Sequence, residues 1–385
     1  MVEAMIPKRV DAMTSFIVMD VLEEAQRMER GGTGVIHLEV GEPDFAVPEC
    51  VSAAICRAVR DGQTHYTHSL GMIELREAIA EHYGRSYGVS VHPEQVVVTS
   101  GTSPAMLSIF SVLLEQGSEV IISDPHYACY PNFIRFLEGK VVTVPVYEDD
   151  GFQYRPDSIR EKITGNTRAI LVNSPNNPTG TVLSTERMET IGGLGPWTIA
   201  DEIYHGLNYE GIEHTILEFT DHAFVLNGFS KAFAMTGLRL GYVVAPKSFV
   251  PALQKLQQNF FLAPNSVSQI AGIAALKEAN DDLLRMKSIY NIRRRYMIDR
   301  LREIGFAIPV EPTGAFYVFA NARHISADSY RLAFDILEKA HVGVTPGIDF
   351  GRGGEGFLRF SYANSMENIT EGLNRLEVYV QVNKR

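Results

Sequence analysis

The chain has 385 residues, 45% of them hydrophobic, enough for two or three structural units around a large core. Its formal net charge of −11 argues against nucleic acid or an anionic membrane as a partner. No apolar run approaches the ~20 residues a membrane helix needs, and the N-terminus lacks the basic start and small-residue cleavage site of a signal peptide. Cys50, Cys56 and Cys129 are too few and too irregularly spaced for a disulfide framework or a zinc site, so a reducing, cytoplasmic setting is expected.

About 45 residues precede the first regular α/β unit. From about residue 94, short β-rich runs alternate with helical patterns. QVVVTS leads into the helical PAMLSIFSVLLEQG, and EVIISDP leads into YACYPNFIRFLEG. RAILVNSP, WTIADEIY, AFVLNGFS and RLGYVVAP follow. Continuous apolar runs suit strands buried on both faces of a mostly parallel sheet with helices on either side. From about 248 the pattern turns helical through NIRRRYMIDRLREIG. It closes with AFYVFAN and FLRFSYAN around the helical SYRLAFDILEKAH. The expected architecture is α/β, with a large unit over residues 46–285 and a smaller α+β unit built from 1–45 and 286–385.

Ligands of open α/β sheets sit beyond the carboxyl ends of the strands. The polar residues that close each run are therefore candidates: Gly101 to Ser103, Asp124 to Tyr127, Asn177, Asp201 with Tyr204, and Ser230 with Lys231. Lys231 in GFSKAFAMTGLRLGY has two readings, a lysine that leaves a strand end for solvent or a Schiff-base lysine. In a water-poor pocket near another cation its pKa falls and the amine becomes nucleophilic toward an aldehyde. Arg239 supplies such a cation and a site for a phosphate. Asp201 in IADEIYHGL is either a turn or helix-cap residue, or a carboxylate that keeps a pyridine nitrogen protonated. Tyr204, and Asn177 in the turn SPNNPTG, are placed to donate to a phenolic oxygen on the same ring. SGTSPA, at 100–105, joins a strand to a helix and offers N–H groups to a phosphate.

The strings SPNNPTG, DEIY, GFSKAFAMTGLRLGY, PTGAFYVF and FLRFSYA, in this order, resemble the motifs of class I aminotransferases, which are fold-type I pyridoxal-phosphate enzymes. The resemblance runs from HLEVGEPDF at 37 to the last helix. It implies a pyridoxal 5'-phosphate cofactor, transamination between an amino acid and a 2-oxo acid such as 2-oxoglutarate, and a homodimer with shared active sites. By the same resemblance, Lys231 is the internal-aldimine lysine and proton shuttle, and Asp201 the partner of the pyridine nitrogen. Asn177 and Tyr204 serve the phenolic oxygen. Arg239 with Gly101, Thr102 and Ser103 forms the phosphate cup, Ser230 lies beside it, and Tyr127 stacks on the ring. Arg359 grips the substrate α-carboxylate, Gly41 approaches the substrate by its backbone, and Tyr66 in THYTHSLG is lent to the neighbouring subunit's phosphate. One position departs from the pattern: Gly228 stands where many relatives carry a phosphate-binding serine.

Three other readings compete. GRGGEG, residues 351–356, matches the G-x-G-x-x-G of nicotinamide-dependent oxidoreductases, but it precedes a strand-like run and opens no helix, so a mobile glycine loop is expected instead. A non-catalytic pyridoxal-phosphate-binding sensor would need a DNA-binding segment, and none precedes residue 37. A β-lyase or decarboxylase on the same fold stays open. MTSFIVMDV, residues 13–21, resembles the stretch that lines the substrate side chain in relatives, or is an ordinary docking helix. Its Phe16, Ile17 and Val18 tilt the expectation toward aromatic or aliphatic donors.

Overall fold

The structure is a computed structural model and describes residues 6–383. Residues 1–5 and 384–385, the ends of the expected smaller unit, lie outside the described residues.

Seven strands form the central sheet: β1 (Val96–Thr99), β2 (Glu119–Asp124), β3 (Lys140–Pro145), β4 (Thr167–Asn173), β5 (Trp197–Asp201), β6 (Ala223–Gly228) and β7 (Gly241–Val244). Their order is β1-β7-β6-β5-β4-β2-β3. The pairs from β6 through β3 are all parallel, whereas β7 runs antiparallel to both β6 and β1. Residues of β1, β6 and β7 are buried throughout, which is why their sequences read as unbroken apolar runs. The exception is β3, KVVTVP, an edge strand with Lys140, Thr143 and Pro145 exposed, and the sequence reading passed over it. Unlike β1 at the opposite edge, which is covered on both faces, β3 leaves half of its side chains in water and so loses the continuous apolar signature.

A smaller three-stranded antiparallel sheet is built from β8 (Tyr317–Asn321), β9 (Thr345–Pro346) and β10 (Phe357–Ser361), in the order β9-β10-β8. The 25-residue helix Asn280–Ile304 leads from the central sheet to it. Its Arg293 pairs with Asp44 at 2.8 Å, and its Arg294, almost fully buried, reaches Pro312 O and Glu210. The N-terminal segment meets the C-terminal one. Ile36–His37 pairs in parallel with Val342–Gly343, and the helix Ile17–Arg30 packs Val21 and Ala25 against Leu337.

The glycine-rich segment 351–356 is not a free loop. Gly353 N donates to Asp124 Oδ1 across 2.8 Å, and a Cβ on Gly353 would come within 2.6 Å of Asp124 O. Its glycines permit close approach of backbone to the end of β2, and the segment turns directly into β10.

Candidate active site

Because β1, β2, β4, β5 and β6 all point the same way, their carboxyl ends open onto one edge of the sheet. A cleft of about 340 Å³ lies there. Thr102, Ser103, Tyr127, Asn177, Asp201, Tyr204, Ser230, Lys231, Arg239, Gly41 and Arg359 line it together, from segments spread over more than three hundred residues of chain. Gly101 sits directly behind, as the N-cap of the helix Thr102–Leu113. Of the candidate range Asp124 to Tyr127 the cleft takes only Tyr127, and Tyr66 stands well outside it, 84% exposed.

Lys231 follows β6 by three residues and reaches Gly41 O with Nζ at 2.6 Å. Its amine lies 5.8 Å from the Phe316 ring centroid. Removal from water pulls its pKa down to about 8, and Arg359 and Arg239 push the same way against Glu42 and Asp201. Asp201 ends β5 and is buried. Burial lifts its carboxyl to about 6, opposed by the hydroxyl of Tyr130 and the N–H of Ile203, which both donate to it. The cleft therefore brings together an amine and a carboxyl whose pKa values lie closer to neutrality than usual, as reactive sites do.

At one end the helix Thr102–Leu113 begins without any side-chain cap, leaving N–H donors of its first turn available. The Arg239 guanidinium lies over Gly101 so closely that a Cβ at 101 would sit 2.6 Å from Nη2. Gly101 has φ of 92°, and Arg239 itself takes a left-handed conformation at φ 50°. A helix N-terminus beside a guanidinium is an anion cradle. Behind it, Gly228 faces Gly241 across the β6–β7 pair, and a Cβ on Gly228 would lie 2.9 Å from Leu240 O. Packing between strands thus accounts for the glycine that departs from the family pattern.

At the other end Arg359 is buried in β10. Its Nη1 donates to Asn177 Oδ1 at 2.8 Å, its Nη2 to Glu39 O and to Thr345 Oγ1, and its Nε has no partner. The guanidinium carbon lies over the Tyr317 ring, 4.3 Å from its centroid. The hydroxyls of Tyr317 and Tyr204 are bonded at 2.7 Å, and a Cβ on Gly41 would overlap the Tyr317 hydroxyl. Phe16 closes the side of the cleft, its ring edge-on to Tyr127 at 5.9 Å.

The sequence model for "Aminotransferase class I and II" matches residues 33–376. The chain belongs to this family. It is a pyridoxal-phosphate-dependent transaminase. It is 40% identical over 380 residues to the (5-formylfuran-3-yl)methyl phosphate transaminase of Methanocaldococcus jannaschii, covering 98% of this chain and all of the relative. It is equally 40% identical over 380 residues to an aspartate aminotransferase of Pyrococcus horikoshii, covering 97% and 96% of the two chains. The solved aspartate aminotransferase of Thermus thermophilus with maleate superposes with a TM-score of 0.94 at 37% identity, over 99% of this enzyme and the whole of that chain. Two relatives of equal identity carry different substrate names, so likeness alone leaves this enzyme's donor open.

The cleft fits the family's cofactor. It offers an anion cradle that any side chain at 101 would fill, an amine of lowered pKa, and a buried carboxylate. The sequence reading did not single out Tyr130, Tyr317, Thr345, Glu39 or Glu42. Tyr130 stands three residues after Tyr127 in YACYPNF, beside a helix-starting Pro131, but nothing in that local pattern ties it to Asp201, 71 positions away. The others touch the site through tertiary contacts alone. Among the described residues no helix is long and apolar enough to cross a membrane, and no group of three His, Cys, Asp or Glu residues could hold a metal ion.

Proposed function

We propose that this transaminase moves an amino group between an amino acid with an apolar side chain and a 2-oxo acid, 2-oxoglutarate among them, on a cofactor held by Lys231. The observation that carries the reading is the gathering of Lys231, Asp201, Arg239 and Arg359 in one cleft, with Lys231 Nζ 2.6 Å from Gly41 O and its pKa pulled down to about 8 by desolvation. An amine of that pKa is unprotonated in part at neutral pH, available as nucleophile and as base. Bound there, pyridoxal phosphate supplies an electron sink for the carbanion left when the substrate Cα loses its proton.

Lys231 Nζ would hold the cofactor's aldehyde carbon and, once released, carry the proton from the substrate Cα. Asp201 would keep the proton on the pyridine nitrogen, while Asn177 and Tyr204 would donate to the phenolic oxygen. Gly101, Thr102, Ser103, Ser230 and Arg239 would hold the phosphate, and Tyr127 would cover the ring. Arg359 would take the α-carboxylate as a forked pair beside the Gly41 backbone. The basic side chains that line the cleft are Lys231, Arg239 and Arg359, each with a part in this scheme. Phe16, Val18, Met19, Met106 and Phe133 supply an apolar wall, which favours aromatic or aliphatic donors.

The same proposal includes a cytoplasmic homodimer with Tyr66 directed to the neighbour's phosphate. Its support is that Tyr66 projects outward from a segment tied down by Gln254, Gln258 and Gln269, which bond Ser69 and Thr67. Phe260 and Leu262 are exposed nearby in sequence to those glutamines. It also includes the division into residues 46–285 and residues 1–45 with 286–385, supported by the pairing of Ile36–His37 with Val342–Gly343.

Borohydride reduction of the holoenzyme followed by peptide mapping tests the central assignment. The expected label is on Lys231, and Lys231→Ala should lose both label and turnover. A label on another lysine rejects the scheme. A panel of donors against 2-oxoglutarate and pyruvate tests the substrate class, with acidic donors expected to trail aromatic and aliphatic ones.

A further inference from the structure

We propose that Tyr130 is a positioning residue for Asp201: its hydroxyl, donating to Asp201 Oδ2 across 2.7 Å, keeps that carboxylate ionised and fixed in direction at the floor of the cleft. The catalytic consequence rests on the reading of Asp201 given above; the bond itself does not.

The two oxygens of Asp201 have one donor each. Oδ1 accepts from Ile203 N at 3.2 Å, a long bond, and Oδ2 accepts from the phenol at 2.7 Å, a short one. Asp201 is 5% exposed and Tyr130 1% exposed, so water does not replace either donor. The phenol cannot swing away. It opens the helix Tyr130–Phe136, is followed at once by Pro131, and is packed edge-on against Tyr127 at 5.3 Å. The titratable groups that face Asp201 are Tyr127, Tyr130, Tyr204, His205 and Lys231. Of these, Tyr130 is the one with a side-chain hydrogen bond to the carboxylate.

The choice of a phenol has a physical reason. Burying a carboxylate drives it toward its neutral acid unless a donor holds the charge. A lysine or arginine would hold it but would also cancel it, and a cancelled carboxylate attracts a pyridinium proton weakly. Tyr130 orients the carboxylate without adding charge. Its own ionisation is pushed well above the usual tyrosine range, first by burial and then by the Asp201 charge, so it stays a neutral donor.

The test is Tyr130→Phe, which removes one oxygen and leaves the ring. In cofactor-free protein carrying 13C-labelled aspartate carboxyls, the Asp201 resonance is assigned by its loss in Asp201→Asn and then titrated. The expected result is a titration moved to higher pH by about one to two units, the worth of a hydrogen bond to a charged group. A fluorotyrosine placed at position 130, a stronger donor, is expected to move it the other way, and serves also if Tyr130→Phe folds poorly. In the loaded enzyme Tyr130→Phe should lower kcat on the order of tenfold, and should lower it no further in the Asp201→Asn background. A titration unmoved by both substitutions at 130 overturns the proposal, as does a loss that multiplies with that of Asp201→Asn. Full turnover by Asp201→Asn itself overturns the reading of Asp201, and with it the catalytic half of the proposal, whatever the titration shows.

Discussion

Arg359 donates from Nη1 to the side-chain oxygen of Asn177 across 2.8 Å, although the two residues lie 182 positions apart. One residue closes the turn after β4 and the other sits in the small sheet, so this bond spans the cleft between them. Its consequence is a guanidinium held over the Tyr317 ring and tied by hydrogen bonds to Asn177, Glu39 and Thr345. The buried Nε without a partner is a donor still to be satisfied.

Replacing Arg359 with Lys keeps the charge and loses the fork. A point charge cannot reproduce two parallel hydrogen bonds to a carboxylate. Arg359→Lys should lower kcat/KM by on the order of 10² for apolar and acidic donors alike, since all share the α-carboxylate. Steady-state kinetics over the donor panel checks this, and a loss confined to acidic donors would place Arg359 at the substrate side chain instead.

The depressed pKa of Lys231 sets a pH dependence for cofactor uptake. Its ordinary value near 10.5 has fallen to about 8, so the amine is protonated below pH 8 and free above it. Cofactor-free protein should take up pyridoxal phosphate at a rate that climbs about tenfold per pH unit up to 8 and then levels. Stopped-flow absorbance gives the profile. A rate still climbing tenfold per unit between pH 9 and 10 would mean the amine is not desolvated.

Gly228 has no room for the serine that many relatives carry. A Cβ there would stand 2.9 Å from Leu240 O and 3.1 Å from Gly241 Cα, backbone atoms that cannot turn aside. Gly228→Ser should destabilise the enzyme by about 1–3 kcal/mol, the usual cost of overpacking, rather than tighten the hold on phosphate. Thermal unfolding and cofactor titration of the same variant separate the two outcomes; a tighter cofactor with unchanged melting would show that the strands move apart.

Tyr66 carries the quaternary prediction. Tyr66 is 84% exposed and clear of the cleft of its own chain, and in the proposed homodimer it acts at the neighbour's site. Tyr66→Ala should be impaired and Lys231→Ala inactive, yet the mixed dimer of the two should regain one intact site. Differently tagged chains, co-expressed and purified as the mixed dimer, give activity per intact Lys231. A value no better than the Tyr66→Ala homodimer would assign Tyr66 a role within its own chain or none, and sedimentation as a monomer would end the idea sooner.

Much of this was legible in the chain itself. Val96–Thr99, Thr167–Asn173, Trp197–Asp201 and Ala223–Gly228 read as strands because a strand covered on both faces has no polar side to interrupt it. Once those strands were recognised, the polar residues at their ends followed, and Asn177, Asp201 and Lys231 were named from their positions. The family motifs supplied what position could not, above all Arg359, whose place in β10 says nothing about a cleft. Strand order, by contrast, is invisible in one dimension: β7 returns antiparallel between β1 and β6, and only that insertion brings Gly241 behind Gly101, where a Cβ would touch its carbonyl carbon at 2.7 Å. The edge strand Lys140–Pro145 escaped because half of it faces water. Tyr130, Tyr317, Thr345 and the Glu39 carbonyl escaped for a different reason. A hydrogen bond such as Tyr130 to Asp201 joins residues 71 positions apart, and its partner is selected by distance and burial after the sheet has formed, which no local pattern of residues records.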